Sequence, residues 1–340
     1  MATIYDIAKA TGYSAPTISK ALNGTGLLSE KTRNRIIQVA KEMGYAPNLS
    51  ARTLSTKKSS LIGVVYDDPM MNRYFDHPLF SIILNRFREQ VEKSDYDIIF
   101  LSGKNAMSYT AHALYRSVDA VAIINPDLDH YADFREMAER SLPCISTNDT
   151  IPGICAILSR NYEIGYQATK YFIDRGHRRI AYLSGPNYEF SRAAEERQSG
   201  YENCLAENGI PVDSSLIEVC PLWRADSAYE GFSRLIERAP DITAVFVASD
   251  SLAVGIYRYA EEKGISLPGQ ISLIGVDDDK ISTYLHPRLT TFRQDGISIA
   301  DMAAEMLMNQ IAGLPVPPEV RFSAKLVERD SVLDLKKSSI

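Results

Sequence analysis

A small all-helical head followed by a larger α/β body is the fold class this sequence predicts, and three observations carry the prediction. The first 45 residues hold helix-capping residues and apolar positions at helical spacing. From Leu61 onward, short apolar runs alternate with amphipathic helical stretches, the pattern of parallel strands joined by crossover helices. Charge divides at the same place: residues 1–60 hold nine Lys/Arg against three Asp/Glu, and the remaining 280 hold 28 against 40. A net charge of −6 thus hides a head of +6 on a body of −12. Such a head neutralises phosphates while the body is repelled from them, which directs nucleic-acid binding to one end.

The head reads as three helices. Thr3 followed by Asp6 is a capping-box-like start, Ile4, Ile7, Ala8 and Ala10 supply an inner face, and Gly12 permits the chain reversal. Ser14 caps a second helix whose Ile18, Ala21 and Leu22 face inward. Two short helices joined by a tight turn make a helix-turn-helix, which sets the first turn of its second helix against base edges in the major groove. Ala15, Pro16 and Thr17 are then nearest the bases, with Lys20 one turn on; Thr3, Tyr5, Ser14, Ser19, Asn23, Ser29 and Thr32 complete the DNA-facing set. After the Asn23-Gly24-Thr25-Gly26 loop, Ser29 caps a third helix carrying Ile36, Val39, Ala40 and Met43, which Gly44 ends. Lys31, Arg33 and Arg35 are available to phosphates or to solvent.

Thr3 to Asn23 resembles the head of the LacI/GalR family of bacterial transcription regulators, and the resemblance extends over the whole chain. It implies a hinge helix at Leu49–Thr56, too short to be stable alone in water, that orders when two copies lie in the minor groove. Asn48, Ala51 and Leu54 fall at the family's positions: Leu54 to wedge between base pairs, Ala51 to let the paired helices approach. It further implies a two-lobed, periplasmic-binding-protein-like effector domain with parallel sheets and three crossover segments. Lys20 departs from the family's commoner arginine, exchanging a bidentate grip on guanine for a point charge.

In the body, strands are expected at Leu61–Tyr66, Ile98–Ser102, Ala120–Asn125 and Cys144–Thr147, and again at Ile180–Ser184, Ile217–Cys220, Ala244–Ala248 and Ser272–Val276. Helices fall between them, at Leu79–Lys93 and Tyr131–Ser141 in the first half and near 161–175, 191–208, 226–238 and 251–263 in the second. Two similar halves imply two lobes and a cleft. The expected domains are 1–45 (head), 46–60 (hinge helix and linker), 61–159 with 290–320 (first lobe), 160–289 with 321–333 (second lobe) and 334–340 (tail).

Ligands of open α/β sheets sit beyond the C-terminal ends of the strands. The polar residues there are Asp67, Asp68, Asn125, Asp127, Asn148, Asp149, Asp250, Asp277 and Asp278, of which Asp250 and Asp278 are equally suited to capping the next helix. By resemblance, Arg197 with Gly200-Tyr201 matches the family's Arg-x-x-Gly-aromatic stretch, Gly275-Val276-Asp277-Asp278 its Gly-x-Asp-Asp strand end, and Asn148 a ligand-binding position. An Asp, an Asn and an Arg suit vicinal hydroxyls, hence a sugar. Ser249 stands where the family often has Asn. Trp223, the only tryptophan, can stack on a pyranose or pack in the core. Phe75 lies at the cleft mouth, and Phe80 shares core spacing with Ile83, Leu84 and Phe87. The ligand set is therefore Asp67, Asn125, Asn148, Arg197, Trp223, Asp250 and Asp277.

The reading that follows is a DNA-binding regulator, repressing from a pseudo-palindromic operator as a homodimer, its affinity set by a mono- or disaccharide in the interlobe cleft. The alternatives are a purine- or other metabolite-responsive co-repressed regulator and a sugar-binding protein without a DNA role. No catalytic, metal or cofactor site is expected: the five histidines are scattered, and Cys144, Cys155, Cys204 and Cys220 lack metal-ligand spacing. With no apolar run of roughly 18 residues and a capped helix at the start, a cytoplasmic protein is expected. The short C-terminal tail is too short for tetramerising heptads.

Overall fold

The computed structural model describes residues 2–45, 58–68, 73–103, 107–126, 130–187 and 192–337. Two compact units emerge, 1–60 and 61–340. The hinge residues Asn48, Ala51 and Leu54, and the candidate Asp127, lie outside the described residues.

The head comprises α1 (Ile4–Thr11), α2 (Ala15–Leu22) and α3 (Glu30–Glu42). Each begins on a side-chain cap: Thr3 and Asp6 form a reciprocal capping box, Ser14 accepts from the Thr17 amide, and Ser29 from the Thr32 amide. Ile7, Ile18, Ala21, Ile36 and Ala40 form the core. Two inward assignments are corrected. The buried stripe of α1 runs Ile4, Ile7, Ala8, Thr11, so Ala10 lies off it and is exposed; Met43, at the end of α3, is past the facing helices and also exposed.

The body holds two sheets. The first contains β1 (Leu61–Tyr66), β2 (Asp97–Phe100), β3 (Ala120–Asn125), β4 (Cys144–Ser146), β5 (Cys155–Ser159) and β11 (Glu319–Phe322), in the order β11-β5-β4-β3-β1-β2. The second contains β6 (Ile180–Ser184), β7 (Ile217–Val219), β8 (Ala244–Val247), β9 (Ser272–Val276), β10 (Thr290–Arg293) and β12 (Lys325–Val327), in the order β12-β10-β9-β8-β6-β7. Pairing is parallel except between β10 and β12. Helices α4 (Phe80–Glu92), α5 (Tyr109–Tyr115), α6 (Tyr131–Glu139) and α11 (Gly296–Ile311) accompany the first sheet, and α7 (Asn161–Asp174), α8 (Ala193–Glu207), α9 (Ala225–Arg238) and α10 (Asp250–Lys263) the second.

Central strands such as β3 and β6 are buried almost throughout because helices cover both faces, which is why they read as unbroken apolar runs rather than alternating ones. Each sheet reverses its winding once, between β1 and β3 and between β6 and β8. Those switch points open crevices for a ligand beyond the strand ends.

The lobe boundary differs from expectation. Thr290–Arg293 pairs with β9 and so extends the second sheet, not the first. The chain crosses to the first lobe only between Arg293 and Gly296, stays there through β11, which pairs with β5 as far as Phe322, and returns by Lys325. Strand β5, absent from the expected strands, is the fifth of the first sheet's six strands in chain order and supplies the edge on which β11 pairs. The first sheet's core includes Phe80, Ile83, Leu84 and Phe87, which places Phe80 in packing.

Candidate DNA-reading head and effector cleft

In the head, several hydroxyls expected to face DNA already have local partners. Ser14 Oγ and Thr17 Oγ1 lie 2.8 Å apart, Ser29 Oγ and Thr32 Oγ1 2.9 Å, and Asn23 Nδ2 donates to Ser19 Oγ at 3.2 Å. Thr3 is engaged with Asp6, whose carboxyl is held below its ordinary pKa first by the Thr3 hydroxyl. The contacts at Thr3, Ser14 and Ser29 preorganise the helix starts, and the Asn23–Ser19 bond lies at the end of α2. Pro16, Lys20 and Tyr5 are exposed on and around the turn, as are Gly12 and Ser14, with Ala15, Thr17 and Ser19 half-buried. Lys20's stem rests over Gly26, where an added Cβ would lie 3.1 Å from Lys20 Cδ. Arg33 turns back to the Gly24 carbonyl at 3.4 Å, so it braces the loop, while Lys31 and Arg35 are exposed. Leu27, fully exposed in that loop, was not singled out by sequence pattern, since a lone loop leucine carries no periodic signal.

In the body, the second lobe assembles the densest polar site. Asp277 follows β9 with φ 113° and Asp278 with φ 52°, both in a region non-glycine residues seldom adopt. Long-range bonds hold this bend. The Asp277 amide donates to Phe292 O at 2.8 Å, the Asp278 amide to Thr291 Oγ1 at 3.3 Å, and the Asp279 amide to Asp250 Oδ2 at 2.9 Å. Asp250 is wholly buried, and its other oxygen accepts from Thr291 Oγ1 at 2.7 Å. Burial raises its pKa well above the ordinary value, with Asp277 the next cause.

Both carboxylate oxygens of Asp250, expected among the ligand residues, are engaged in supporting the bend. Asp250 is not the helix cap: Ser249 is, accepting from the Leu252 amide at 3.3 Å. Asp278 likewise caps nothing, being held by Arg293 Nε at 2.6 Å and by Arg329. Gly275 is required beneath Asp250, because a Cβ there would sit 2.1 Å from Asp250 Oδ1.

Asp277 is the carboxylate that remains for a ligand. Gln294 Nε2 donates to its Oδ1 at 2.7 Å. Burial raises its pKa to about 6, opposed by the positive charge of Arg197. Arg197 is buried at the start of α8; its Nε donates to Asn161 Oδ1 at 3.0 Å and its Nη1 to Ala248 O at 2.5 Å. Desolvation lowers the guanidinium's pKa, and Asp277 counteracts that. Asp277, Arg197 and Gln294 thus form one charge-balanced cluster. Gln294 and Asn161 escaped the sequence reading because neither falls in a recognised strand-end motif.

Asp277 and Gln294 line a cavity of about 950 Å³ between the lobes, with Arg73, Phe75, Pro78 and Ile82 among the walls from the first lobe. Phe75 is exposed and stacks on Tyr66 at 5.2 Å, where the sequence placed it at the cleft mouth. The first-lobe candidates sit at their strand ends: the Asp67 amide donates to Asn125 O at 2.6 Å, Asp67 accepts from the Tyr109 hydroxyl, and Asn148 Nδ2 donates to Asp149 Oδ1 at 3.1 Å. None of Asp67, Asn125 or Asn148 lines that cavity among the described residues. Trp223, half-buried, lies on Gly185 just past β6, so close that a Cβ there would meet the indole at 2.4 Å.

Comparisons with known proteins agree with both units. Residues 3–48 match the family described as bacterial regulatory proteins, lacI family, and residues 169–332 match a periplasmic binding protein-like domain. The chain is 30% identical over 339 residues to the HTH-type transcriptional regulator GalR of Escherichia coli K12, covering 98% of this chain and 96% of that one. It is 28% identical over 342 residues to AscG, an HTH-type transcriptional regulator of the same strain, covering 98% and 99%. Among solved structures, a lac repressor dimer bound to operator and the anti-inducer ONPF is similar at a TM-score of 0.80, with 26% identity over 98% of this chain and 99% of that one. A DNA-reading helix-turn-helix joined to a two-lobed α/β body, matched to such relatives over nearly its full length, is a DNA-binding transcriptional regulator, and the chain belongs to the LacI/GalR family.

Proposed function

We propose that this regulator represses from a pseudo-palindromic operator as a cytoplasmic homodimer and that a mono- or disaccharide in the interlobe cleft controls its grip. The observation that carries the reading is Asp277: a carboxylate fixed by Gln294, balanced by Arg197 and facing a cavity of sugar size. The Asp277 carboxylate and the Gln294 amide on the cavity wall offer acceptors and a donor matched to adjacent ring hydroxyls, with buried Arg197 as the countercharge of Asp277. Trp223 adds an apolar ring face at a strand end of the same lobe. An effector that binds one lobe arrangement better than another shifts the population toward it, and no other effector switches anything.

Calorimetry of the full chain against galactose, ribose, cellobiose and a wider panel tests the effector class. The expected outcome is one saccharide that binds wild type and loses roughly ten-fold or more in affinity in Asp277→Asn, the usual scale for a lost hydrogen bond from a charged group. Retained affinity in both Asp277→Asn and Arg197→Lys would remove the cleft assignment.

A further inference from the structure

Asp277, Asp278 and Asp279 send three successive carboxylates in three directions. Asp277 faces the cavity with Gln294, Asp278 is held by Arg293 and Arg329, and Asp279 is held by Arg73 of the first lobe. Arg73 Nη1 donates to Asp279 Oδ2 at 2.5 Å and to Ser251 Oγ at 2.9 Å. One guanidinium therefore ties the first lobe to both the β9–β10 connection and the first turn of α10. At its root, the Arg73 amide donates to Asp68 Oδ2 at 2.6 Å, directly after β1. The side chains are 29% and 9% exposed, so the pair is partly shielded from water and less weakened than a fully solvated one.

Another tie between the lobes lies beside a crossover. Arg321, at the end of β11, grips Glu196 of α8 at 2.7 and 2.9 Å, two residues before the chain passes to the second lobe. A contact next to a hinge changes little when the lobes rotate, whereas one made only by side chains distant from it must break or hold. Arg73–Asp279 is made by side chains of two segments that are not themselves crossovers, although the crossover residues Arg293 to Gly296 line the same cavity. Its mechanical connection to the site is short: the Asp279 amide is bound to Asp250, which is bound to Thr291, which receives the Asp278 amide.

We propose that the Arg73–Asp279 pair, with Ser251, is an interlobe clasp that stabilises the lobe arrangement presenting Asp277 and Gln294 across the cavity from Pro78, so that breaking the pair weakens effector binding by loosening the lobes. Arg73 and Asp279 are positioning residues in this scheme. The proposal rests on the reading of the cavity as the effector site, and the test separates the two.

Spin labels at Ser94→Cys on the first lobe and Glu237→Cys on the second, in full-length protein diluted with unlabelled chain, report the interlobe distance. Both positions are exposed, while the four native cysteines are buried. Without any ligand, wild type is expected to give one narrow distance distribution, Asp279→Asn a broader one extending to longer distances, and the charge-swapped Arg73→Glu/Asp279→Arg a narrow one again. An unchanged distribution in Asp279→Asn, or a swap as broad as the single variant, overturns the clasp. For whichever saccharide binds wild type, Asp279→Asn weakens binding roughly ten-fold and the swap restores it, in the usual range of coupling between sites. Unchanged affinity overturns the claim that the clasp sets it. If no saccharide binds wild type, the effector reading fails while the distance measurement still decides the clasp.

Discussion

Asp277 sits where burial and a neighbouring cation pull against each other. With its pKa raised to about 6, it binds a proton in the folded state at pH values where an unfolded aspartate has already lost it. Its contribution to stability is therefore complete below the ordinary carboxylate range and is lost as pH rises through about 6. Asp277→Asn keeps an acceptor for Gln294 and removes that loss. The variant should melt higher than wild type at pH 7.5, with the difference shrinking toward pH 4; a variant that melts lower at pH 7.5 would show that the charge is stabilising there. Saccharide affinity should move the other way in wild type, strengthening from pH 5 to 7 as the carboxylate becomes a full acceptor, with calorimetry as the check. On the DNA side, Ala15 and Pro16 carry only apolar side chains, and in the proposed docking of the second helix in the major groove, changing them should alter preference at thymine-bearing positions in a site-selection experiment. Lys20→Ala should instead weaken operator and reduce the salt dependence of binding by about one phosphate contact if the ammonium meets backbone.

Close approach is the theme among the elements. Gly275 passes under Asp250, and Gly185 passes under the indole of Trp223. Gly275→Ala forces a methyl against a buried carboxylate that organises the β9–β10 bend, and about 1–3 kcal/mol of stability should be lost, read from denaturant melts. Gly185→Ala must displace Trp223. Because the chain has a single tryptophan, its fluorescence reports that displacement without interference, and the emission maximum should shift in Gly185→Ala while wild-type emission responds to a bound saccharide. In the head, Ser29 begins α3 by accepting from the Thr32 amide. Ser29→Ala should cost about 1 kcal/mol, seen as faster hydrogen exchange confined to the head.

Across the whole molecule, charge and chain crossings are the features that matter. The head's excess of cations predicts operator affinity that falls steeply with salt, and the acidic body predicts that removing the head abolishes DNA binding altogether. Three chain crossings, near 159–161, 293–296 and 322–325, join the lobes and permit rotation about a common region. Sedimentation at micromolar concentration should give a dimer, and a stable tetramer would overturn the proposed homodimer. Among the described residues no helix is long and apolar enough to cross a membrane.

Much of this organisation was legible in the residues themselves. Caps at Thr3, Ser14 and Ser29, helical spacing around Ile7, Ile18 and Ile36, and unbroken apolar strands are local signals, because hydrogen bonding within an element and burial of one face depend on nearby residues. The resemblance singled out Asp277, but how Asp250 and Asp278 differ from it was not legible. All three follow strands and look alike in sequence, yet one is buried beneath Thr291, one is clamped by Arg293 and Arg329, and one faces the cavity. The same holds for β10, whose sheet depended on pairing with β9, and for Arg73, whose acceptors lie 178 and 206 residues away. Sequence alone set most of the elements, though not β5 or the helix at Tyr109–Tyr115, and where positive charge collects; tertiary structure decided which polar groups remain available, because a carboxylate's role is fixed by the partners that folding brings to it from distant parts of the chain.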